Sequence, residues 1–211
     1  MPRSGEEVRR RLQIAALTLY GKQGYDATTA AEIAAEAGVT ERTFFRHFPD
    51  KREVLFDGDL SAALAQAIAE VPDATAPLAV LRQAFHAMVP LVERNRPFVE
   101  PRSKIIAETP ALRERELAKL ASLQDAAAEA LTARGIPDRQ AMLAARVAMA
   151  ALGQAMHEWK SDSEGVFDSL LTQAFDDLSK LGLQPASGVQ RHVRSGTQPA
   201  DGLELPAVPG L

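Results

Sequence analysis

Residues 40–47, with the sequence TERTFFRH, combine side chains that suit contacts with a nucleic-acid duplex. Phe44 and Phe48 are four residues apart, so on a helix they face the same way and can point into a core. The outer faces then carry hydroxyl, guanidinium, imidazole and aromatic groups. Such a surface offers hydrogen-bond donors and apolar contacts to a major groove. These outer residues are Glu41, Arg42, Thr43, Phe45, Arg46 and His47.

A first short helix is predicted just before this stretch. Thr29 can cap a helix over Ala30–Ala37, and Glu32 has the capping-box spacing from it. Gly38 ends that helix, because glycine accepts the left-handed backbone common at helix ends.

The stretch itself is predicted to be a second helix, Glu41–Phe48, capped by Thr40 and ended by a proline. Two short helices joined by a turn with glycine are typical of a helix-turn-helix. Asp50 and Glu53 form a third candidate capping pair, which would begin another helix at Lys51.

The segments GYDATTAAEIAAEAG and GVTERTFFRHFPDKREVL resemble the DNA-binding domain of TetR-family transcriptional regulators, over about residues 9–56. The turn glycine, the second helix, the RHF sequence and the following lysine all have the family's spacing. The resemblance implies that the second helix is a recognition helix. By position, the implied DNA-binding residues are Thr29, Thr40, Glu41, Arg42, Thr43, Phe45, His47 and Lys51.

The resemblance and the side-chain chemistry together suggest individual roles. Arg42 can bond guanine O6 and N7 together, and Thr43 can touch a thymine methyl. Thr40 and His47 are expected to hold phosphates. Lys51, at the start of a predicted helix, can meet a phosphate together with backbone N–H groups.

Two residues of the recognition helix are unusual for the family. Family members often have tyrosine where this chain has Phe45, and the missing hydroxyl should cost a phosphate hydrogen bond of about 1 kcal/mol. Glu41 either accepts from cytosine N4 or only caps the helix.

Composition limits the possible functions. The chain has 211 residues, no cysteine and a net charge of −4. Residues 1–55 hold nine basic and eight acidic residues, a weak electrostatic footprint that favours a dimer gathering phosphate contacts from two copies. We expect a soluble cytoplasmic protein, because no segment is long and apolar enough to span a membrane. The four histidines lie far apart, so no metal site or cofactor is predicted.

Apolar periodicity predicts an all-α fold of about nine helices. We expect a three-helix helix-turn-helix domain at 1–55, a larger helical ligand-binding and dimerisation domain at 56–183, and a disordered tail at 184–211. A long helix over Lys51–Val71 would link the two domains mechanically. The other predicted helices are Glu6–Gln23, Leu78–Asn95 with a kink at Pro90, Arg102–Ala107, Pro110–Arg134, Asp138–Trp159 and Val166–Leu181.

The last two helices carry seams of large apolar residues spaced by three and four. Two such helices suit a four-helix interface between two subunits, as the resemblance also implies. The alternative is that both seams face the protomer's own core. The predicted interface residues are Met142, Met149, Leu152, Met156, Trp159, Phe167, Leu171 and Leu178.

The resemblance also implies a small-molecule pocket in the larger domain, where an effector would move the link helix and spoil half-site spacing. Apolar walls would favour a lipophilic effector, with His86 or His157 as a polar anchor. Phe, Met and Leu residues on helices are more often plain core than pocket lining, and the two histidines more often lie at the surface or are satisfied within the core. The candidate lining residues are Phe85, His86, Met88, Phe98, Leu117, Leu120 and Met149.

The sequence therefore predicts a dimeric, ligand-responsive, DNA-binding regulator, a repressor released from a palindromic operator by its effector. The alternative is a helical ligand-binding or interaction protein whose helix-turn-helix no longer reads DNA. An enzyme is disfavoured, because the chain contains no GxSxG, P-loop or Rossmann glycine set and no cysteine nucleophile.

Overall fold

The computed structural model describes residues 3–56, 60–72, 76–161 and 165–182. This part of the chain is all-α, as predicted, and none of its helices is long and apolar enough to cross a bilayer. The predicted tail at 184–211 lies outside the described residues. The α-helices are α1 (Arg3–Gln23), α2 (Ala30–Glu36), α3 (Glu41–His47), α4 (Leu60–Glu70), α5 (Pro77–Arg94), α6 (Arg96–Glu108), α7 (Pro110–Ala133), α8 (Asp138–Ser161) and α9 (Phe167–Gly182).

The helix-turn-helix forms as its capping residues predict. The Oγ1 atom of Thr29 accepts from the Glu32 amide at 3.2 Å, and the Glu32 carboxylate accepts from the Thr29 amide at 2.8 Å. Gly38 has φ +67°, and the amides of Gly38 and Val39 donate to carbonyls of the last turn of α2. This Schellman-type ending turns the chain sharply into α3.

The predicted link helix Lys51–Val71 is wrong in its first part. Of the described residues 51–56, only Glu53–Leu55 form a helical turn, of the 3-10 type, and the next described helix is α4. Val54, Leu55 and Phe56 are consecutive and all buried, which a regular α-helix lying on one surface does not allow. Asp50 does cap the turn, since its Oδ1 accepts from the amides of Arg52 and Glu53.

The second correction concerns α6. The sequence predicted a short helix over Arg102–Ala107, whereas α6 extends from Arg96 to Glu108. Pro97 lies in its first turn, where the missing N–H costs no hydrogen bond, and Pro101 is accommodated inside the helix.

The described residues pack into two apolar cores. The larger core lies among α4, α5, α7, α8 and α9. The smaller core holds α1–α3 together and also receives Ile105 and Ile106 of α6 and Leu112 of α7. The three-helix part formed by α1–α3 is therefore packed directly against the start of α7, and this contact was not predicted.

Three residues predicted at the dimer interface are buried inside the protomer. Trp159, Phe167 and Leu171 are 2%, 1% and 0% exposed. The reason is that α8 and α9 turn their large apolar seams toward each other and toward α5, as in the alternative interpretation. The remaining predicted interface residues, Met142, Met149, Leu152, Met156 and Leu178, are partly buried against the same core.

Candidate nucleic-acid interface

The outer face of α3 is open to solvent. Phe44 is fully buried, whereas Phe45 is 50% exposed and stands edge-on to it at 5.3 Å between ring centroids. Glu41 and Arg42 are exposed, and within the described part of the chain Arg42 makes no hydrogen bond or ion pair. A free guanidinium beside an exposed aromatic ring is an arrangement that can enter a groove.

The hydroxyl groups at the start of α3 are fixed by local bonds. The Thr43 amide donates to Thr40 Oγ1 at 3.2 Å, and the two hydroxyl oxygens are 3.0 Å apart. Their geometry is therefore set before any ligand arrives. Thr29, at the start of α2, is exposed, but its hydroxyl already donates to Glu32 at 2.8 Å. This backbone and hydroxyl bonding holds the pKa of Glu32 below its ordinary value.

His47 lies at the end of α3 with its ring partly covered. Its Nε2 atom is buried and has no partner among the described residues. Burial, followed by the charges of Arg46 and Arg9, lowers the pKa of His47. The phosphate contact expected of His47 remains a prediction.

Arg9 contacts the C-terminal end of α3. Its Nη1 donates to the His47 carbonyl at 3.0 Å, and its guanidinium lies 4.4 Å from the centroid of the Phe48 ring. The carbonyl at a helix C-terminus is an orphan acceptor that a cation can satisfy. Arg9 therefore orients α3.

Lys51 points inward, although a phosphate contact was predicted for it. Its Nζ donates to the carbonyls of Tyr25 at 2.8 Å and Thr28 at 2.9 Å. The predicted roles of the eight DNA-face residues remain predictions, but only some of them occupy a freely accessible surface.

The candidate effector residues do not converge on one cavity. Phe85 is 3% exposed and packs against Phe175, while Met88 and Met149 are partly buried on the same core. Leu117 and Leu120 are 67% and 45% exposed on α7, so they line no internal pocket.

The other two candidates, His86 and Phe98, are only partly exposed. His86 Nδ1 is 2.6 Å from Asp168 Oδ1, in a pair that joins α5 to α9. The guanidinium of Arg10 lies 5.0 Å from the Phe98 ring centroid. A hollow of about 330 Å³ on α9 is open and polar, unlike the apolar pocket that the sequence suggested.

Charged side chains join the segment after α3 to α6 and α7. Glu53 accepts a hydrogen bond from Arg115 Nε, and Lys119 Nζ lies 3.5 Å from its second oxygen. Arg102 Nε donates to the Leu55 carbonyl at 2.7 Å. The hydrogen bond from Arg115 holds the pKa of Glu53 below its ordinary value, and burial lowers the pKa of Arg102.

Large apolar residues are also exposed on α8, just before α9 and at the end of α9. Leu143 is 62% exposed, Val166 54% and Leu181 73%. Leu143, Ala150 and His157 follow one another at intervals of seven, so they share the side of α8 opposite its buried alanines. Exposed large apolar residues are informative when they cluster on neighbouring helices.

Comparisons with known proteins match both parts of the chain. The family described as bacterial regulatory proteins, tetR family, matches residues 14–57, and the MftR C-terminal domain matches residues 75–182. The HTH-type transcriptional regulator TcmR of Streptomyces glaucescens is 38% identical over 76 residues, which are 35% of this chain. The alignment spans only 34% of TcmR.

Solved structures share the fold. SmeT of Stenotrophomonas maltophilia, in complex with triclosan, is 20% identical with a TM-score of 0.56, covering 82% of this chain and 90% of SmeT. Thermus thermophilus FadR, a transcriptional repressor in complex with lauroyl-CoA, is 24% identical with a TM-score of 0.54. That match covers 92% of this chain and 99% of FadR.

Proposed function

Because this chain belongs to the tetR family of bacterial regulatory proteins, we propose that it is a ligand-responsive, sequence-specific DNA-binding repressor. The observation that carries the proposal is the outer face of α3, where Arg42 and Phe45 are exposed above a buried Phe44. Arg42 reads a base edge, and Phe45 and Thr43 supply apolar contacts in the groove. Thr40 fixes the start of α3 at the phosphates.

The protein acts as a homodimer on a palindromic site. One copy presents few free cations, because Arg9 and Lys51 are engaged with backbone carbonyls. Two copies related by a two-fold axis double the phosphate contacts and set two recognition helices one DNA turn apart.

The surface that pairs the two copies is the outer side of α8 and α9. It carries the exposed Leu143, Val166 and Leu181, and large exposed apolar groups on adjacent helices favour a self-complementary contact. Alanine and glycine between them allow close approach of the helices. The further members of this surface are Val147, Ala150, Gly153, Gln154, His157, Leu170 and Gln173.

The effector is a small molecule that binds the domain formed by α4–α9. Solved relatives of the same fold hold triclosan or lauroyl-CoA, which supports a small-molecule ligand here without identifying it. A shift of α6 or α7 on binding reaches the DNA-binding part through Arg102, Glu53 and Arg115. Effector binding is thus coupled to the position of the DNA-binding helices through α6 and α7 in addition to α4.

DNA binding by the recognition helix is tested with Arg42→Ala. A duplex is selected from a random library by the wild-type protein, and its affinity is measured by fluorescence anisotropy at several salt concentrations. We expect Arg42→Ala to lose about 1–3 kcal/mol in each half-site. Arg113→Ala, an exposed arginine on α7 with the same charge change, should bind like the wild type.

Two results would contradict the proposal in different ways. Equal affinities for the wild type, Arg42→Ala and Arg113→Ala would remove Arg42 from the DNA face. A wild-type protein that selects no sequence, with affinity independent of salt, would favour the alternative in which the helix-turn-helix no longer reads DNA.

A further inference from the structure

The ammonium group of Lys51 lies inside a set of main-chain carbonyls. Nζ is 2.8 Å from Tyr25 O, 2.9 Å from Thr28 O and 3.4 Å from Asp26 O. It also lies 4.2 Å from the centroid of the Tyr25 ring. An ammonium has three N–H donors, and here all three have acceptors.

The main chain of Lys51 is tied to a different helix. Tyr20 of α1 donates its hydroxyl to the Lys51 carbonyl at 2.6 Å. Tyr20 is 4% exposed, and burial raises its pKa, so the hydroxyl remains protonated and able to donate. Lys51 therefore accepts a hydrogen bond from α1 and donates hydrogen bonds to the loop that precedes α2.

The loop before α2 is shaped so that its carbonyls converge. Gly24 has φ +85°, which directs the chain away from α1. Thr28 is fully buried, and its hydroxyl donates to the Gly24 carbonyl at 2.7 Å. A partly buried carbonyl group without a donor is costly. Removing the ammonium would take the donor from the Thr28 carbonyl, whereas the Tyr25 carbonyl would still accept from the Thr28 amide at 3.3 Å.

Lys51 also follows α3 closely along the chain, whereas the loop that it binds precedes α2. Its side chain thus ties the segment after α3 to the loop before α2, and so holds the two ends of the helix-turn-helix together. A phosphate bound by the same ammonium would have to displace these carbonyls.

We propose that Lys51 is a positioning residue, which orients α2 and α3 on α1 and makes no direct phosphate contact. The inference rests on the proposed DNA-binding function, because positioning matters only if α3 reads DNA. It makes Arg42 a DNA-contacting cation on the outer face of α3, and it gives Arg9 and Lys51 the role of holding the backbone around that helix.

The salt dependence of DNA affinity distinguishes positioning from contact. With the selected duplex, Lys51→Met is expected to bind about tenfold more weakly with an unchanged log–log salt slope. A lysine that neutralised a phosphate would lower the slope by about 0.9 per copy. Lys104→Met, an exposed lysine of α6, controls for the change in net charge.

A neutral donor provides the second variant. Lys51→Gln can still donate to two carbonyls, so it should bind DNA more tightly than Lys51→Met, again with the wild-type slope. A charge-dependent phosphate contact would instead make both variants equally weak with equally reduced slopes. Circular dichroism melts confirm that each variant is folded before binding is measured.

A double-mutant cycle with Arg42→Ala distinguishes a residue that places α3 on the DNA from one that only stabilises the fold. If Lys51 acts through the placement of α3, the losses from Lys51→Met and Arg42→Ala are less than additive. Additive losses or a reduced slope, with normal wild-type binding, would overturn this inference alone. Absence of wild-type DNA binding would overturn the proposed function and this inference with it.

Discussion

Leu143→Asp should separate two intact protomers, whereas Leu171→Asp should unfold each protomer. Leu171 belongs to α9 and is 0% exposed, so an aspartate at that position would be a buried, unpaired charge. Such a group costs several kcal/mol, against a total stability of about 5–15 kcal/mol. Leu143 is 62% exposed, so aspartate at that position adds no buried charge within the protomer.

The measurement combines sedimentation with thermal melts followed by circular dichroism. Leu143→Asp is expected to sediment as a monomer with a near-normal melt, and to lose the gain in DNA affinity that two half-sites give. Leu171→Asp should lose its cooperative transition. Leu117→Asp is the matched control, because Leu117 is 67% exposed on α7 and outside the proposed interface.

The opposite pattern would contradict the proposed interface. If Leu143→Asp remains dimeric while Leu117→Asp dissociates, the two copies pair through α7. If Leu171→Asp dissociates but stays folded, the apolar seams of α8 and α9 belong to the subunit interface, as their spacing predicts.

The helix-turn-helix could be predicted because its determinants are local. Thr29, Glu32, Gly38 and Thr40 act on amides or backbone angles within three residues of themselves. Residue type and spacing alone therefore locate both helices and the turn. The buried Phe44 beside the exposed Phe45 follows from the same helical period.

The partners of charged residues could not be predicted, because they come from distant parts of the chain. Lys51 binds carbonyls more than twenty positions earlier, and Glu53 binds a guanidinium about sixty positions later. Glu53 has the spacing of a capping residue, but its carboxylate bonds to α7. Whether Glu53 caps a helix or pairs with α7 depends on how α6 and α7 pack on the smaller core.

The apolar seams of α8 and α9 show a different limit of prediction from sequence. Periodicity correctly identified an apolar side on each helix, but it does not say whether that side meets the protomer's own core or a second copy. The buried side of α8 is mostly alanine, and these small side chains give a weaker periodic signal than large apolar residues do. Leu143, which falls outside the seam, was the signal for a second apolar surface.

Glu53→Gln should weaken the attachment of the DNA-binding part to α7 at neutral pH but not in acid. The hydrogen bond from Arg115, supported by the charges of Arg115 and Lys119, keeps the pKa of Glu53 below its ordinary value. The folded protein thus binds this proton less readily than the unfolded chain. Its contribution to stability is present above the unfolded pKa and is lost as pH falls through the folded pKa.

Urea unfolding at several pH values between 7 and about 3 measures this contribution. We expect Glu53→Gln to reduce the free energy of unfolding by about 1–2 kcal/mol at pH 7, since Glu53 is only 14% exposed and its partner is charged. As the pH falls through the folded-state pKa of Glu53, the difference in stability between the variant and the wild type should disappear. The variant's stability should therefore depend less on pH than that of the wild type.

Asp177→Asn is the matched control for this experiment. Asp177 also pairs with a cation, Lys180, but both side chains are more than half exposed, so solvent screens the pair. Its removal should change stability by a few tenths of a kcal/mol at most. An equal loss from Asp177→Asn and Glu53→Gln would mean that the contact with α7 has no special strength. A signal from α7 would then have to reach the recognition helix through Arg102 and the apolar contacts of Ile105, Ile106 and Leu112.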